Sequence, residues 1–204
     1  MAKPDHIVFD IGRVLLFWDA ELIYQEIIPD VDERRWFLAN VCTPAWNLEQ
    51  DRGRDWAEAE DLLIAQFPDQ TERIKAYRTH WARSIPHTVA GMEILYDQVL
   101  AAGFDVTLLT NFNQDTYLEA EALYPFLTRA RGETVSGRVK ILKPDAAIYA
   151  HHTETFDLDP AATVFIDDSA KNVDGAKAFG WDAILFTDAD ALRQALAARG
   201  VLLA

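Results

Sequence analysis

Three apolar runs in this chain stop abruptly on polar residues, and that pattern constrains the fold more than any other feature. Val8-Phe9 runs into Asp10, Leu108-Leu109 into Thr110-Asn111, and Val164-Phe165-Ile166 into Asp167-Asp168. A short apolar run bounded in this way reads as a buried strand. The predicted strands are Ile7 to Asp10, Asp105 to Leu109, Thr163 to Ile166 and Ala183 to Phe186. Helical patterns separate them. One carries Met92, Leu95, Tyr96 and Val99 and stops at Gly103; another spans about Gln114 to Leu123. Pro144 has the chemistry of a first helical position, opening a helix to about Thr155. A helix ending near Gly180 and a last helix complete the alternation. Strands alternating with helices mean βαβ units, hence an α/β fold on a doubly wound, Rossmann-like parallel sheet. Ligands of such sheets bind at the carboxyl ends of the strands. One acid, one hydroxyl, one lysine (Lys143) and an acidic pair therefore meet in a single crevice.

Between the first strand and Pro86 there is helical spacing and no strand pattern. Ile23, Tyr24, Ile27 and Ile28 form one stripe, and Asp32 to Val41 a second around Trp36 and Phe37. Trp56, Ala59, Leu63 and Phe67 form a third, and Ile74, Tyr77, Trp81 and Ile85 a fourth. Residues 18–86 thus read as a four-helix cap inserted after the first strand of a core made of residues 1–17 and 87–204.

The 204 residues carry a net charge of -14, which repels phosphate backbones. Arg34-Arg35 and the Arg129/Arg131 pair are too short to offset it, so no nucleic-acid partner is expected. Cys42 is the single cysteine, which excludes an internal disulfide and a cysteine-based zinc site, and reads as a packed small residue at a helix end. No long apolar run or signal-peptide pattern follows Lys3, Pro4 and Asp5; no membrane partner and a cytoplasmic location are expected. The expected state is a monomer or homodimer. His151-His152 are adjacent on a helix, point in different directions and read as ordinary helix residues.

The crevice residues suit one chemistry. A carboxylate exposed at a strand end, Asp10, can act as a nucleophile and split one hard displacement into two easier ones. Gly12 allows a sharp turn that brings its carbonyl near a ligand. Asp167 and Asp168 add like charges that cannot all stay ionised uncompensated. Magnesium supplies the compensation, since it favours few carboxylates, several waters and a phosphate oxygen. Lys143 adds a fixed positive charge, and Thr110 with Asn111 offers donors to a phosphoryl group. Singly, each string has an ordinary explanation as a turn, a helix start or a cap. Their order and spacing together do not.

That order (Asp10, Thr110, Lys143, Asp167-Asp168), with a helical segment after the first strand, resembles the haloacid dehalogenase superfamily in its C1-capped form, over essentially the whole chain. Phe9-Asp10-Ile11-Gly12, Leu109-Thr110-Asn111, Lys143-Pro144 and Asp167-Asp168-Ser169-Ala170-Lys171-Asn172 are similar to the branch holding bacterial sugar-1-phosphate phosphatases and the phosphatase domain of soluble epoxide hydrolases. Asp51-Arg52-Gly53 resembles that branch's short acidic-Arg-Gly motif. The resemblance implies a magnesium-dependent phosphatase acting on a small phosphate ester through an aspartyl-phosphate on Asp10. Asp10, the Gly12 carbonyl and Asp168 would hold Mg2+. Thr110 and the Asn111 backbone would bind the phosphoryl group, Lys143 would steady it and Asp10, and Asp167 and Asn172 would support Lys143 and metal-bound water. Trp18, Trp46, Glu49, Asp51, Arg52 and Arg54 are the cap residues expected near the substrate, with Arg52 on its phosphate.

One position departs from the pattern. Many phosphatases of the superfamily carry a second aspartate two residues after the nucleophile as general acid and base; here that position is Gly12, followed by Arg13. The leaving oxygen must then depart with little protonation, or take a proton from elsewhere, with Asp51, Glu49 and His87 as candidates. Three alternatives carry other functions. A metal-independent 2-haloacid dehalogenase also lacks that second aspartate, but usually has serine and asparagine in place of the acidic pair. A receiver-type signalling domain has its acidic pair early in the chain, not last. A catalytically silent interaction protein on the same scaffold would explain Gly12.

Overall fold

In the computed structural model, which describes residues 3–203, the chain opens on β1 (His6–Phe9) at the centre of a five-stranded parallel sheet. The other strands are β2 (Asp105–Thr110), β3 (Glu133–Val135), β4 (Thr163–Asp167) and β5 (Asp182–Leu185), in the order β3-β2-β1-β4-β5. The chain fills one side of β1 with β2 and β3, then crosses to the other with β4 and β5. Such a reversal of direction leaves a crevice at the strand ends. Alternation along the strands sends Ile7, Phe9, Leu108 and Ile166 into one apolar cluster and Val8, Leu109 and Phe165 into another, on opposite faces. Helices cover both faces, so the sheet is doubly wound.

α6 (Met92–Ala101), which ends before Gly103 at φ 81°, and α7 (Gln114–Leu123) pack on the first face, together with α11 (Ala189–Ala197). α9 (Ala146–Phe156) and α10 (Ala170–Phe179) cover the second through Ile148, Tyr149, Val173 and Ala176. Pro144 does not begin α9. Its N-cap is Asp145, whose side chain accepts from the Ala147 N–H at 2.9 Å, and the cis Lys143–Pro144 bond precedes it. No apolar run marks β3 in the sequence, since its three residues begin with a glutamate. His152 is buried in α9 and held between Thr134 and Thr107, each at 2.8 Å. It ties the helix to β2 and β3, and has no role at the crevice.

The segment after β1 is helical but divided differently from its apolar stripes. α1 (Glu21–Tyr24) is a single turn, and α2 (Val31–Asn40) begins at the Asp30 cap. α3 (Pro44–Asp51) makes no apolar stripe and was missed; Thr43 caps it, accepting from Trp46 N–H at 3.1 Å, and Pro44 sits in its first turn. α4 (Trp56–Gln66) and α5 (Thr71–Thr79) follow. The expected helix through Trp81 and Ile85 breaks at His80 into a 3-10 turn, Trp81–Ser84. A four-residue helix, α8 (Ser136–Val139), follows β3. The two chain crossings between the sheet and the helical segment run side by side: Phe17 N–H donates to His87 at 3.0 Å and Val89 N–H to Leu15 at 2.9 Å. Cys42 is buried beside the Tyr24 hydroxyl at 3.7 Å, and burial pushes its thiol up to about 12. Among the described residues, no helix is long and apolar enough to cross a membrane.

Candidate active site

Strand register brings the polar ends together. Phe9 is level with Leu108 on one side and Ile166 on the other, so Asp10, one step on, is flanked by the ends of β2 and β4. Its N–H still donates to the Ile166 carbonyl at 2.9 Å, which fixes the backbone where the carboxylate leaves the sheet. Asp10 Oδ1 accepts from Ile11 N–H at 2.7 Å and faces Lys143 Nζ at 2.9 Å. Lys143 is buried and also meets Asp167 Oδ2 at 2.6 Å and the Leu109 carbonyl at 3.0 Å. Asn111 fixes the loop bearing it: the Asn111 amide accepts from Lys143 N–H at 2.8 Å and donates to its carbonyl at 3.1 Å. The Asn111 side chain is therefore committed, and only its backbone remains for a ligand.

The acidic pair divides its work. Asp167 is fully buried, and its oxygens take Lys143, the Asn172 amide at 2.9 and 3.1 Å, and the Ser169 N–H at 2.8 Å. Asp168 is half-buried, opens on the cavity and, among the described residues, receives no side-chain hydrogen bond. Burial raises its carboxyl, and Asp167 raises it further, against Arg13 and Lys143. Burial raises Asp10 too, Lys143 pulling the other way. Burial also opposes the Lys143 charge, but Asp10 and Asp167 outweigh it and hold the ammonium above its ordinary value. Three carboxylates against one ammonium leave negative charge in excess in a place that penalises it.

Asp10, Asp167 and Asp168 each present an oxygen within 4.8 Å of the others. With Asp167 committed, Asp10 and Asp168 are the carboxylates left to hold a cation, and few carboxylates on one edge suit magnesium. The residues fit the ion.

A cavity of about 220 Å³ lies above these groups, reached by Thr110, Asp10, Lys143 and Asp168 from the sheet. Gly12 lines it, but is not the turn residue expected from the sequence. The left-handed conformation falls on Arg13, at φ 59°, while a Cβ on Gly12 would meet open space. Arg13 stacks on Trp18 at 5.1 Å and donates to its carbonyl at 3.3 Å, placing a second cation at the cavity rim.

Of the helical-segment candidates, Trp18 and Asp51 line the cavity, and Asn47, Trp56 and Trp81 join them. Arg52 does not. It is exposed, paired with Glu49 at 3.7 Å, because it follows the last residue of α3 and projects away from the crevice. Glu49 is exposed with it. Arg54 is spent on Gln50 at 2.6 Å and the Trp46 carbonyl, and Trp46 packs on Tyr77 and Trp56. His87 is exposed against Phe17, outside the cavity lining. Sequence reasoning missed Asn47 for want of the α3 pattern. Helical spacing had assigned Trp56 and Trp81 to the core, where they also belong.

The helical segment is sewn to the core beside Asp51. Asn113 donates to the Gln50 carbonyl at 3.1 Å and accepts from Trp56 Nε1 at 3.0 Å, and Ser136 Oγ donates to the Asp51 carbonyl at 2.5 Å. Gly53, at φ 100°, lies so close to the Gly137 backbone that a Cβ would stand 2.6 Å from its carbonyl oxygen. Only glycine fits there.

The fold matches solved structures over nearly the whole chain. An enzyme of the HAD family from Bacteroides thetaiotaomicron, bt-2542, superposes with a TM-score of 0.71 at 22% identity, over 91% of this chain and 95% of that one. The chain has the haloacid dehalogenase fold. The same HAD enzyme has been solved with magnesium and with magnesium and inorganic phosphate. Among curated proteins, (S)-2-haloacid dehalogenase 1 of Pseudomonas sp. (strain CBS-3) is 32% identical over 85 residues, 41% of this chain and 37% of that protein. A CBBY-like protein of Arabidopsis thaliana is 24% identical over 176 residues, 82% of this chain and 51% of that protein. The chain thus spans about half or less of the curated relatives it matches. No family model matches it.

Proposed function

We propose that this chain is a HAD-type hydrolase, and specifically a magnesium-dependent phosphatase that releases phosphate from a small phosphate monoester. The observation that carries the reading is the division of the acidic pair: Asp167 holds Lys143, while Asp168 stands uncommitted beside Asp10. An uncompensated second carboxylate beside the nucleophile favours a site used with a cation. Magnesium, held by Asp10 and Asp168 with the Gly12 carbonyl as the proposed third ligand, would neutralise charge on a bound phosphoryl group.

The chain's own residues do the rest. Lys143 fixes Asp10 through Oδ1, leaving Oδ2 to attack phosphorus and form an aspartyl-phosphate. Thr110 and the Asn111 backbone hold the phosphoryl oxygens, and Asp167 with Asn172 keeps Lys143 in place. The indoles over the cavity limit water around the intermediate and restrict the ligand to a small molecule. The net charge of -14 disfavours a nucleic acid as this molecule.

The identity to a haloacid dehalogenase over 85 residues favours a second reading, displacement of halide by Asp10 without a metal. One experiment separates the two. Purified protein is assayed for phosphate release from a panel of phosphorylated metabolites with magnesium or chelator, and for halide release from 2-chloropropionate with chelator. Magnesium-dependent phosphate release supports the phosphatase. Halide release in chelator would replace it with the dehalogenase.

A further inference from the structure

A displacement at phosphorus runs in line, with the attacking and leaving oxygens on opposite sides of the transferred group. Asp10 attacks from the sheet, so the leaving oxygen points at the helical segment that roofs the cavity. Position 12 offers no acid there. Of the three carboxyl and imidazole candidates, Glu49 and His87 face solvent, and the one group lining the cavity is Asp51, at the end of α3.

Asp51 is held as a proton donor would need to be. Asn47 Nδ2 donates to its Oδ2 at 3.1 Å, and Asn47 Oδ1 in turn accepts from the Tyr77 hydroxyl at 3.0 Å. That chain fixes one carboxyl oxygen against the helix. The backbone is locked independently by Ser136 and by the Gly53–Gly137 contact. No basic side chain pairs with the Asp51 carboxyl among the described residues.

We propose that Asp51 is the general acid and base of the phosphatase reaction, supplied from the helical segment in place of the acid missing at Gly12. The proposal rests on the phosphatase reading. As Asp10 Oδ2 bonds to phosphorus, the bond from phosphorus to the leaving oxygen breaks. That oxygen takes the Asp51 proton and departs as the alcohol. Water then attacks phosphorus of the aspartyl-phosphate, the ionised Asp51 takes its proton, and phosphate leaves with Asp10 and Asp51 restored. The protonation state suits the first step: burial raises the carboxyl to about 8, with the Asn113 N–H opposing and Asp10 adding to the rise.

The test compares wild type with the near-isosteric Asp51→Asn on phosphate esters of graded leaving-group pKa, from 4-nitrophenyl to alkyl. In Asp51→Asn, kcat/KM should stay near wild type for 4-nitrophenyl phosphate and fall about 10²–10⁴-fold for alkyl phosphates. With 4-nitrophenyl phosphate, kcat should fall while a burst of nitrophenol stoichiometric with enzyme appears, because hydrolysis of the intermediate has lost its base. An equal loss across the series, or no loss, overturns the assignment of Asp51 while leaving the phosphatase reading standing. A wild-type protein that releases phosphate from no ester overturns that reading and the proposal with it. Asp51→Ala, checked for folding by its thermal melt, must show the same leaving-group dependence; a flat loss there also overturns the role.

Discussion

Replacing Lys143 by methionine keeps the length of the side chain and removes its charge. In the folded protein the ammonium lies 2.9 Å from Asp10 and 2.6 Å from Asp167, with a side chain only 1% exposed. Methionine would leave two buried carboxylates facing each other with nothing between them. Removing one partner of a buried ion pair costs about 3–5 kcal/mol, since the survivor keeps its desolvation penalty and loses its attraction. For a chain of this size each kcal/mol lowers Tm by about 2–4 °C, so the melt should fall by roughly 6–20 °C. A pH signature identifies the cause. With no ammonium to lower it, the folded Asp10 carboxyl lies further above its unfolded value near 4. The folded variant then binds a proton more readily than the unfolded chain, and its stability should rise as pH falls from about 7 towards 5. Adding Asp167→Asn to Lys143→Met should recover part of the loss at neutral pH. Urea and thermal unfolding in chelator, across that pH range, measure all of this. A Lys143→Met protein within about 1 kcal/mol of wild type at pH 7, or one that only weakens on acidification, would refute the charge-balance account.

Asp10→Asn should fold normally and release no phosphate above background, because a carboxamide cannot form the acyl-phosphate; stopped assays and a thermal melt check both halves. Asp168→Ala should weaken magnesium binding in calorimetry with little change in stability, whereas Asp167→Ala should chiefly destabilise, because only Asp167 is committed to Lys143 and Asn172. Equal effects of the two on magnesium affinity would contradict the division of the pair. Gly53→Ala should force α3 away from the Gly137 backbone and lower activity by displacing Asp51, while the sheet stays folded; unchanged kinetics would mean the contact does not position the segment. Burial depresses the folded pKa of His152 to about 3, below its unfolded value near 6.5, so the unfolded chain takes up a proton first as pH falls. The stability it contributes is present above pH 6.5 and is lost below it at about 1.4 kcal/mol per pH unit, down towards pH 3. In His152→Gln that part of the acid slope should be absent from urea titrations.

What this chain discloses by itself is what strands and charges determine locally. An apolar run stopping at Asp10, Thr110 or Asp167 marks both a strand and its end, because burial on both faces and a polar stop are written in consecutive residues. The parallel sheet and the gathering of Asp10, Thr110, Lys143 and Asp168 at one edge follow from that pattern and its alternation with helices. Tertiary structure decided the remainder. β3 is three residues long at an edge, and only pairing with β2 makes it a strand. α3 carries no apolar stripe, so a Thr43 cap and contacts to Asn113 and Ser136 define it. Within Asp51-Arg52-Gly53 the sequence pointed to the arginine as the phosphate ligand, yet successive residues of a helix end turn about 100° from one another, and packing chose the acid for the cavity. The left-handed turn after Asp10 likewise fell on Arg13 rather than Gly12, because the loop closes on Leu16 through the Arg13 N–H at 2.7 Å. Which side chain faces a cavity depends on the rotation of an element against its neighbours, and that rotation is set by contacts between residues far apart in the chain.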